Sequence, residues 1–156
     1  MPKWLVLSAA VIVLDRITKI AVMRAFTLHE SVEITTFFNM VFVYNRGAAF
    51  SFLSDAGGWQ REFFIGIALA AAVWITWLLR KHASQMLFCL ALSLILGGAL
   101  GNVIDRVMYG AVVDFLDFHV LGWHWPAFNV ADIAISCGAV LLVWDALKPK
   151  RNAAPA

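Results

Sequence analysis

Charge is scarce in this chain. Of 156 residues only 14% are charged and 62% are hydrophobic, and the mean hydropathy is +0.81. Soluble domains average about 45–50% apolar and about 25% charged residues. A soluble enzyme and a disordered segment are therefore excluded. The net charge of +2 gives no basic footprint for nucleic acid, so no such partner is expected. Cysteine is nearly absent. Cys89 and Cys137 lie in apolar runs without a C-x-x-C pair, which excludes a disulfide framework and reads as two buried structural thiols. His29, His82, His119 and His124 show no His-x-x-x-His or His/Cys spacing, so no metal or other cofactor is expected. There is no glycine-rich phosphate loop and no triad-like arrangement of Ser or Cys with His. No internal repeat stands out, which gives an inverted-repeat transporter little support.

What the chain has is long apolar runs. A membrane-spanning helix needs about 20 such residues. The sequence predicts one integral membrane domain over 1–156, with spans at about 4–23, 63–79, 86–106 and 130–147. The third and fourth reach this length only if their polar ends, Gly101–Arg106 and Asn129–Asp132, are drawn into the membrane. The basic start Met1-Pro2-Lys3 is followed by no small-x-small site, and Asp15-Arg16 comes next, so the first run reads as a retained helix. Lys3, Arg80, Lys81, Lys148, Lys150 and Arg151 lie in short tails or a short loop. Arg24, Arg46, Arg61 and Arg106 are spread over longer segments. The positive-inside rule then places both termini in the cytoplasm and segments 24–62 and 107–129 outside.

Those outer segments are not linker-like. Residues 32–53 are rich in β-branched and aromatic types, with a turn at Asn45-Arg46-Gly47. Val112–Phe118 is a second strand-like piece. Together they predict a small sheet against the outer membrane surface. Trp59, Trp123 and Trp125, near span ends, read as interfacial anchors.

Ionisable groups at membrane depth are costly and face a protein interior. Asp114 and Asp132 stand 18 residues apart, so only the fold can unite them. Two carboxylates about 3 Å apart cannot both ionise. One would take a proton from water and the other would donate, which hydrolyses an acyl bond without metal or covalent intermediate. Asp132 also reads as a helix-start acid, because Asn129-x-x-Asp132 resembles an N-cap. Asp114 also reads as a solvated strand acid, as Asp117 does. Asn102, Asp105 and Arg106 share a helix end, with Arg106 expected behind the site as a brace. Asp15 and Lys19 form an i,i+4 pair in the favoured order. Asn45 and Gly47, before Ala48-Ala49-Phe50, suit either the clamping of an extended peptide or a plain turn.

At this point the sequence resembles bacterial lipoprotein signal peptidase, the signal peptidase II family. The resemblance rests on five blocks in the family's order: Asp15-Arg16-Ile17-Thr18-Lys19, Asn45-Arg46-Gly47-Ala48-Ala49-Phe50, Gly101-Asn102-Val103-Ile104-Asp105-Arg106, Val112-Val113-Asp114-Phe115 and Phe128-Asn129-Val130-Ala131-Asp132. It implies an all-α membrane protein of four transmembrane helices, with a small extracytoplasmic β-sheet and a short extracytoplasmic helix. It implies an intramembrane aspartyl endopeptidase of the bacterial inner membrane. The implied substrate is a prolipoprotein bearing diacylglycerol on its lipobox Cys, cut just before that Cys. Asp114 and Asp132 take the family's catalytic positions. Asp15, Lys19, Asn45, Gly47, Asn102, Asp105, Arg106, Asn129 and Ala131 take those that line or brace the site. No cofactor is implied, and inhibition by globomycin is expected.

The 32–53 region is expected to cover the aspartates as a lid. A site between the chain's own helices needs no partner, so a monomer is expected. Two other classes fit the composition. A small proton-coupled transporter or channel subunit would string Asp15, Lys19, Asp105 and Arg106 along a path, but the acids gather near one face. A non-catalytic assembly factor would bind peptides through its sheet.

Overall fold

A computed structural model of the chain describes residues 1–47 and 59–148. Its elements are α1 (Pro2–Ala25), β1 (Ser31–Thr35), β2 (Phe38–Asn45), α2 (Gln60–Lys81), α3 (Met86–Tyr109), β3 (Val112–Val120), β4 (Trp123–His124) and α4 (Val130–Leu147). The chain is mostly helical. α2, α3 and α4 are each long and apolar enough to cross a membrane. α1 has 24 residues, but Asp15, Arg16 and Lys19 interrupt its apolar run. Val73, Trp74, Val140 and Trp144 are exposed, an outward-facing apolar surface whose natural solvent is lipid.

α3 is the hub. It packs against α1, α2 and α4, whereas α2 and α4 make little contact with each other. Small residues allow the close approach. A Cβ on Gly98 would run into the Ala131 carbonyl, and one on Gly138 would lie 2.6 Å from the Ala91 carbonyl. Gly98→Ala must therefore push α4 off α3. Thermal unfolding in detergent is expected to show a loss of about 1–3 kcal/mol. Gly66→Ala on α2, with open space around its Cβ, is expected to leave stability unchanged or raised, because Ala is the better helix former.

At the end where α1 and α3 finish and α2 and α4 begin lies one antiparallel four-stranded sheet, ordered β1-β2-β3-β4. α3 ends cleanly because Gly110, at φ 73°, takes the left-handed conformation, which lets β3 start two residues later. Val22 of α1 packs with Phe42, Val113 and Phe115, so the sheet is fastened to the helices by its own core. Asp114 on β3 stands opposite Val43 on β2.

Several details differ from the sequence reading. The 32–53 region holds two strands, and the hairpin between them turns at Thr36-Phe37, beside a register shift at Glu33/Thr35. Asn45 to Gly47 is the exit from β2, where the Gly47 N–H donates to Asn45 Oδ1 at 3.0 Å. β4 was not anticipated; its hairpin turns on Leu121 and Gly122, both at positive φ. Cys89 is buried, but Cys137 is exposed, because an apolar position in a lipid-facing helix need not point inward. The expected short outer helix does not occur among the described residues. Residues 48–58, which include Ala48-Ala49-Phe50 and the end of the expected lid (48–53), lie outside them.

Candidate active site

α4 opens on a reciprocal cap. Asn129 is its N-cap: Asn129 Oδ1 accepts from the Asp132 N–H at 3.0 Å, and Asp132 Oδ2 accepts from the Asn129 N–H at 3.1 Å. The cap thus fixes the Asp132 carboxylate at a helix N-terminus, where the dipole favours negative charge. Asp132 Oδ1 accepts from Asn102 Nδ2 at 2.8 Å. The same Asn129 amide donates through Nδ2 to Asp114 Oδ1 at 2.7 Å, so one side chain ties both carboxyl groups together.

Asp114 is only 2% exposed. Its other oxygen accepts from Asn45 Nδ2 at 3.1 Å. Burial pushes its pKa up to about 7, and the Asp132 charge pushes the same way, against the two amide hydrogen bonds and Lys19. Desolvation therefore outweighs the hydrogen bonds at this carboxyl.

Behind this pair lies a buried charge cluster. Lys19 Nζ is 2.8 Å from Asp15 Oδ2 and 2.8 Å from Asp105 Oδ2, and all three side chains are wholly buried. Asp105 also pairs with Arg16 and accepts from the Val113 N–H at 3.1 Å, which locks β3 beside Asp114. Asp15 Oδ1 accepts from the Ala131 N–H at 3.0 Å, satisfying one of the unpaired donors at the start of α4. Lys19 also donates to Asn102 Oδ1 at 3.0 Å. The cluster sets the positions of α3, α4 and β3 around the two aspartates.

Asp114 and Asp132 line one cavity of about 520 Å³. Asn45, Asn102 and Arg106 line it as well, and its far wall is Phe64, Ile67, Ala68 and Ala71 of α2 with Ile135 and Ser136 of α4. It is polar at the sheet end and apolar along the helices. Among the described residues no group of three His, Cys, Asp or Glu side chains is arranged to hold a metal ion.

The family model for signal peptidase (SPase) II matches residues 7–148. The chain belongs to the signal peptidase II family. That makes it an aspartic-type peptidase, and its apolar helices make it a membrane-embedded, multi-pass one. The lipoprotein signal peptidase of Ralstonia nicotianae is 64% identical over 149 residues, covering 96% of this chain and 86% of that protein. That of Cupriavidus pinatubonensis is 60% identical, covering 96% and 85%. A solved bacterial membrane enzyme superposes with a TM-score of 0.87 at 30% identity, covering 100% of this chain and 94% of that one.

The family's blocks converge in space. Asp15, Lys19, Asn102, Asp105, Asn129 and Ala131 form one hydrogen-bonded network with Asp114 and Asp132. Asn45 reaches Asp114. Arg106 differs from expectation: it lines the cavity, and its guanidinium donates to the Gly47 carbonyl at 2.9 Å. A second backbone carbonyl, that of Asn102, also accepts from the guanidinium, at 3.4 Å.

Three connections were missed. Arg16 neutralises Asp105 and donates to the Tyr109 hydroxyl; the signal was that two buried acids, Asp15 and Asp105, need more than one lysine. Arg61 donates to the Arg106 and Val107 carbonyls at the end of α3, and only the fold reveals it. Asp117 is 7% exposed and holds Asn39 and His124, so it is a strand-pairing acid and not a solvated one.

Proposed function

We propose that this protein removes the signal peptide from diacylglyceryl-modified prolipoproteins, cutting just before the lipid-bearing Cys, with Asp114 and Asp132 as the catalytic pair. The observation that carries the reading is that two carboxyl groups from different elements meet at the polar end of an otherwise apolar cavity, joined by the Asn129 amide. An apolar signal helix fits the wall between α2 and α4, which are left apart on the surface of α3. The relatives' name, lipoprotein signal peptidase, supports the substrate class.

The environments divide the labour. Asp132, held at a helix N-terminus where the dipole favours negative charge, is the carboxylate. Asp114, buried on a strand, holds the proton. Asp132 takes a proton from water as the water oxygen bonds to the scissile carbonyl carbon. Asp114 gives its proton to the carbonyl oxygen, leaving a neutral diol. On collapse Asp132 returns its proton to the departing amine, the C–N bond breaks, and Asp114 regains a proton from a diol hydroxyl. Water is consumed and both groups are restored.

All four helices span the inner membrane in this reading, with both termini cytoplasmic and the sheet on the outer face. The charges of α1 are no obstacle, since Asp15 and Lys19 point inward. Exposed Trp59 and Trp123 anchor the outer interface. The site is built from one chain, so a monomer suffices. Asn45 and Gly47 at the cavity rim clamp the peptide, and a globomycin-type inhibitor competes for the same space.

The test is a pH profile on a diacylglyceryl-modified prolipoprotein. With Asp114 titrating at about 7, its proton is present below that pH and lost above it. Turnover is therefore expected to decline above about pH 7, and a rate constant flat from pH 6 to 9 sinks the assignment. Stability follows the same group. An unfolded Asp titrates near about 3.9, so the folded protein binds the extra proton between there and about 7. Stability falls as pH rises through that window. Asp114→Asn is expected to reduce the difference in stability between pH 5 and pH 8 in denaturant titrations.

A further inference from the structure

Hydroxyl groups inside membrane helices normally satisfy themselves on the carbonyl one turn back. Four of this protein's helical hydroxyls do so. Ser8 donates to the Trp4 carbonyl, Thr18 to Leu14, Thr76 to Ala72 and Ser93 to Cys89, at 3.2, 3.1, 2.7 and 2.6 Å. The remaining helical Ser or Thr among the described residues is Ser136 on α4. It makes no such bond; instead it lines the cavity that holds Asp114 and Asp132. It is the one polar side chain on the apolar wall formed with Ile67, Ala68, Ala71, Ala99 and Ile135.

Its place on the helix gives it a task. Ser136 is four residues after Asp132, hence on the same face of α4 and about 6 Å deeper. A signal helix lying in the cavity must end before the scissile bond, because a peptide held in a helix is shielded from attack. The last four carbonyls of any helix lack an intrahelical partner. An unpaired carbonyl in an apolar setting is costly. A span of about 6 Å corresponds to about two residues of extended chain or about four of helix.

We propose that the Ser136 hydroxyl binds substrate, donating a hydrogen bond to a backbone carbonyl two to four residues before the scissile bond. The bond would hold the unwound end of the signal helix in register with the aspartates. Because the partner is a main-chain carbonyl, the contact tolerates varied signal sequences. The proposal rests on reading the cavity as the peptide path.

The test is steady-state cleavage of a diacylglyceryl-modified prolipoprotein by wild type, Ser136→Ala, Ser136→Thr and Ala71→Phe. Ser→Ala in a helix does not threaten folding. A hydrogen bond made equally in the ground and transition states changes KM and leaves kcat alone. Ser136→Ala is expected to raise KM about 3- to 10-fold with kcat within about twofold, and Ser136→Thr, which keeps the hydroxyl, to restore KM. Ala71→Phe, which fills the cavity from α2, is expected to abolish turnover. An unchanged KM in Ser136→Ala, with Ala71→Phe inactive, overturns the role of Ser136 alone. Equal KM increases in the Ala and Thr variants also overturn it, since the effect would be one of shape. Full activity in Ala71→Phe overturns the peptide path itself, and the inference with it.

Discussion

Asp114→Asn and Asp132→Asn are each expected to lower kcat on the order of 10³-fold, with substrate binding retained. An amide is the same size as a carboxyl group but neither takes a proton from water nor gives one up. The cost should not add: once one partner is lost the other has no proton to exchange, so the double variant should be no slower than the slower single. The two singles should separate in stability. Asp132 caps α4, receiving the Asn129 N–H and the Asn102 amide, so its replacement weakens the helix start by about 1 kcal/mol. Asp114 caps nothing. The measurement is signal-peptide release on a gel, with unfolding midpoints taken on the same preparations. Release by both variants at wild-type rates would leave the two aspartates as braces and move the chemistry elsewhere.

The sequence made some of this legible and concealed the rest, for physical reasons. Helix periods, span lengths and the Asn129–Asp132 cap are local, and local patterns survive in one dimension. So does the Asp15–Lys19 pair, four residues apart on one helix face. Asp114 and Asp132 are not local. Their meeting depends on β3 returning across the end of α3 and on a third residue, Asn129, bonding to both. The charge cluster was visible only in halves, because Asp15 and Lys19 on α1 and Asp105 on α3 join through packing. A cation directly beside two aspartates that share a proton works against the sharing, so charge logic alone puts Arg106 behind the site. Its actual partner is the Gly47 carbonyl at the far end of β2, which no spacing rule anticipates. The turn at Thr36-Phe37 carries neither Gly nor Asn, so it gave no turn signal.

Lys19→Met is expected to be the most damaging substitution to the fold, at about 3–5 kcal/mol. The ammonium touches Asp15, Asp105 and Asn102 Oδ1, at 2.8, 2.8 and 3.0 Å, and is itself inaccessible. Removing it leaves two buried carboxylates with Arg16 as their one cation partner. Asp15→Asn in the same chain removes the surplus negative charge, so the double variant should be more stable than Lys19→Met. Activity should not return with stability. Lysine is donor-only, so it obliges Asn102 to turn its oxygen inward and its Nδ2 towards Asp132. The Asp132 N–H likewise obliges Asn129 to turn its Nδ2 towards Asp114. Fixed donors thus orient both amides, and the amides present N–H groups to both aspartates. In Asp15→Asn/Lys19→Met the charged donor on Asn102 Oδ1 is gone and only the longer bond from Asn129 Nδ2, at 3.3 Å, is left to it, so Asn102 is held against Asp132 less firmly. We expect a protein with a recovered denaturation midpoint and a kcat still reduced about tenfold to a hundredfold. Recovery of both together would mean that Lys19 serves the fold alone, and that Asn102 is oriented without it.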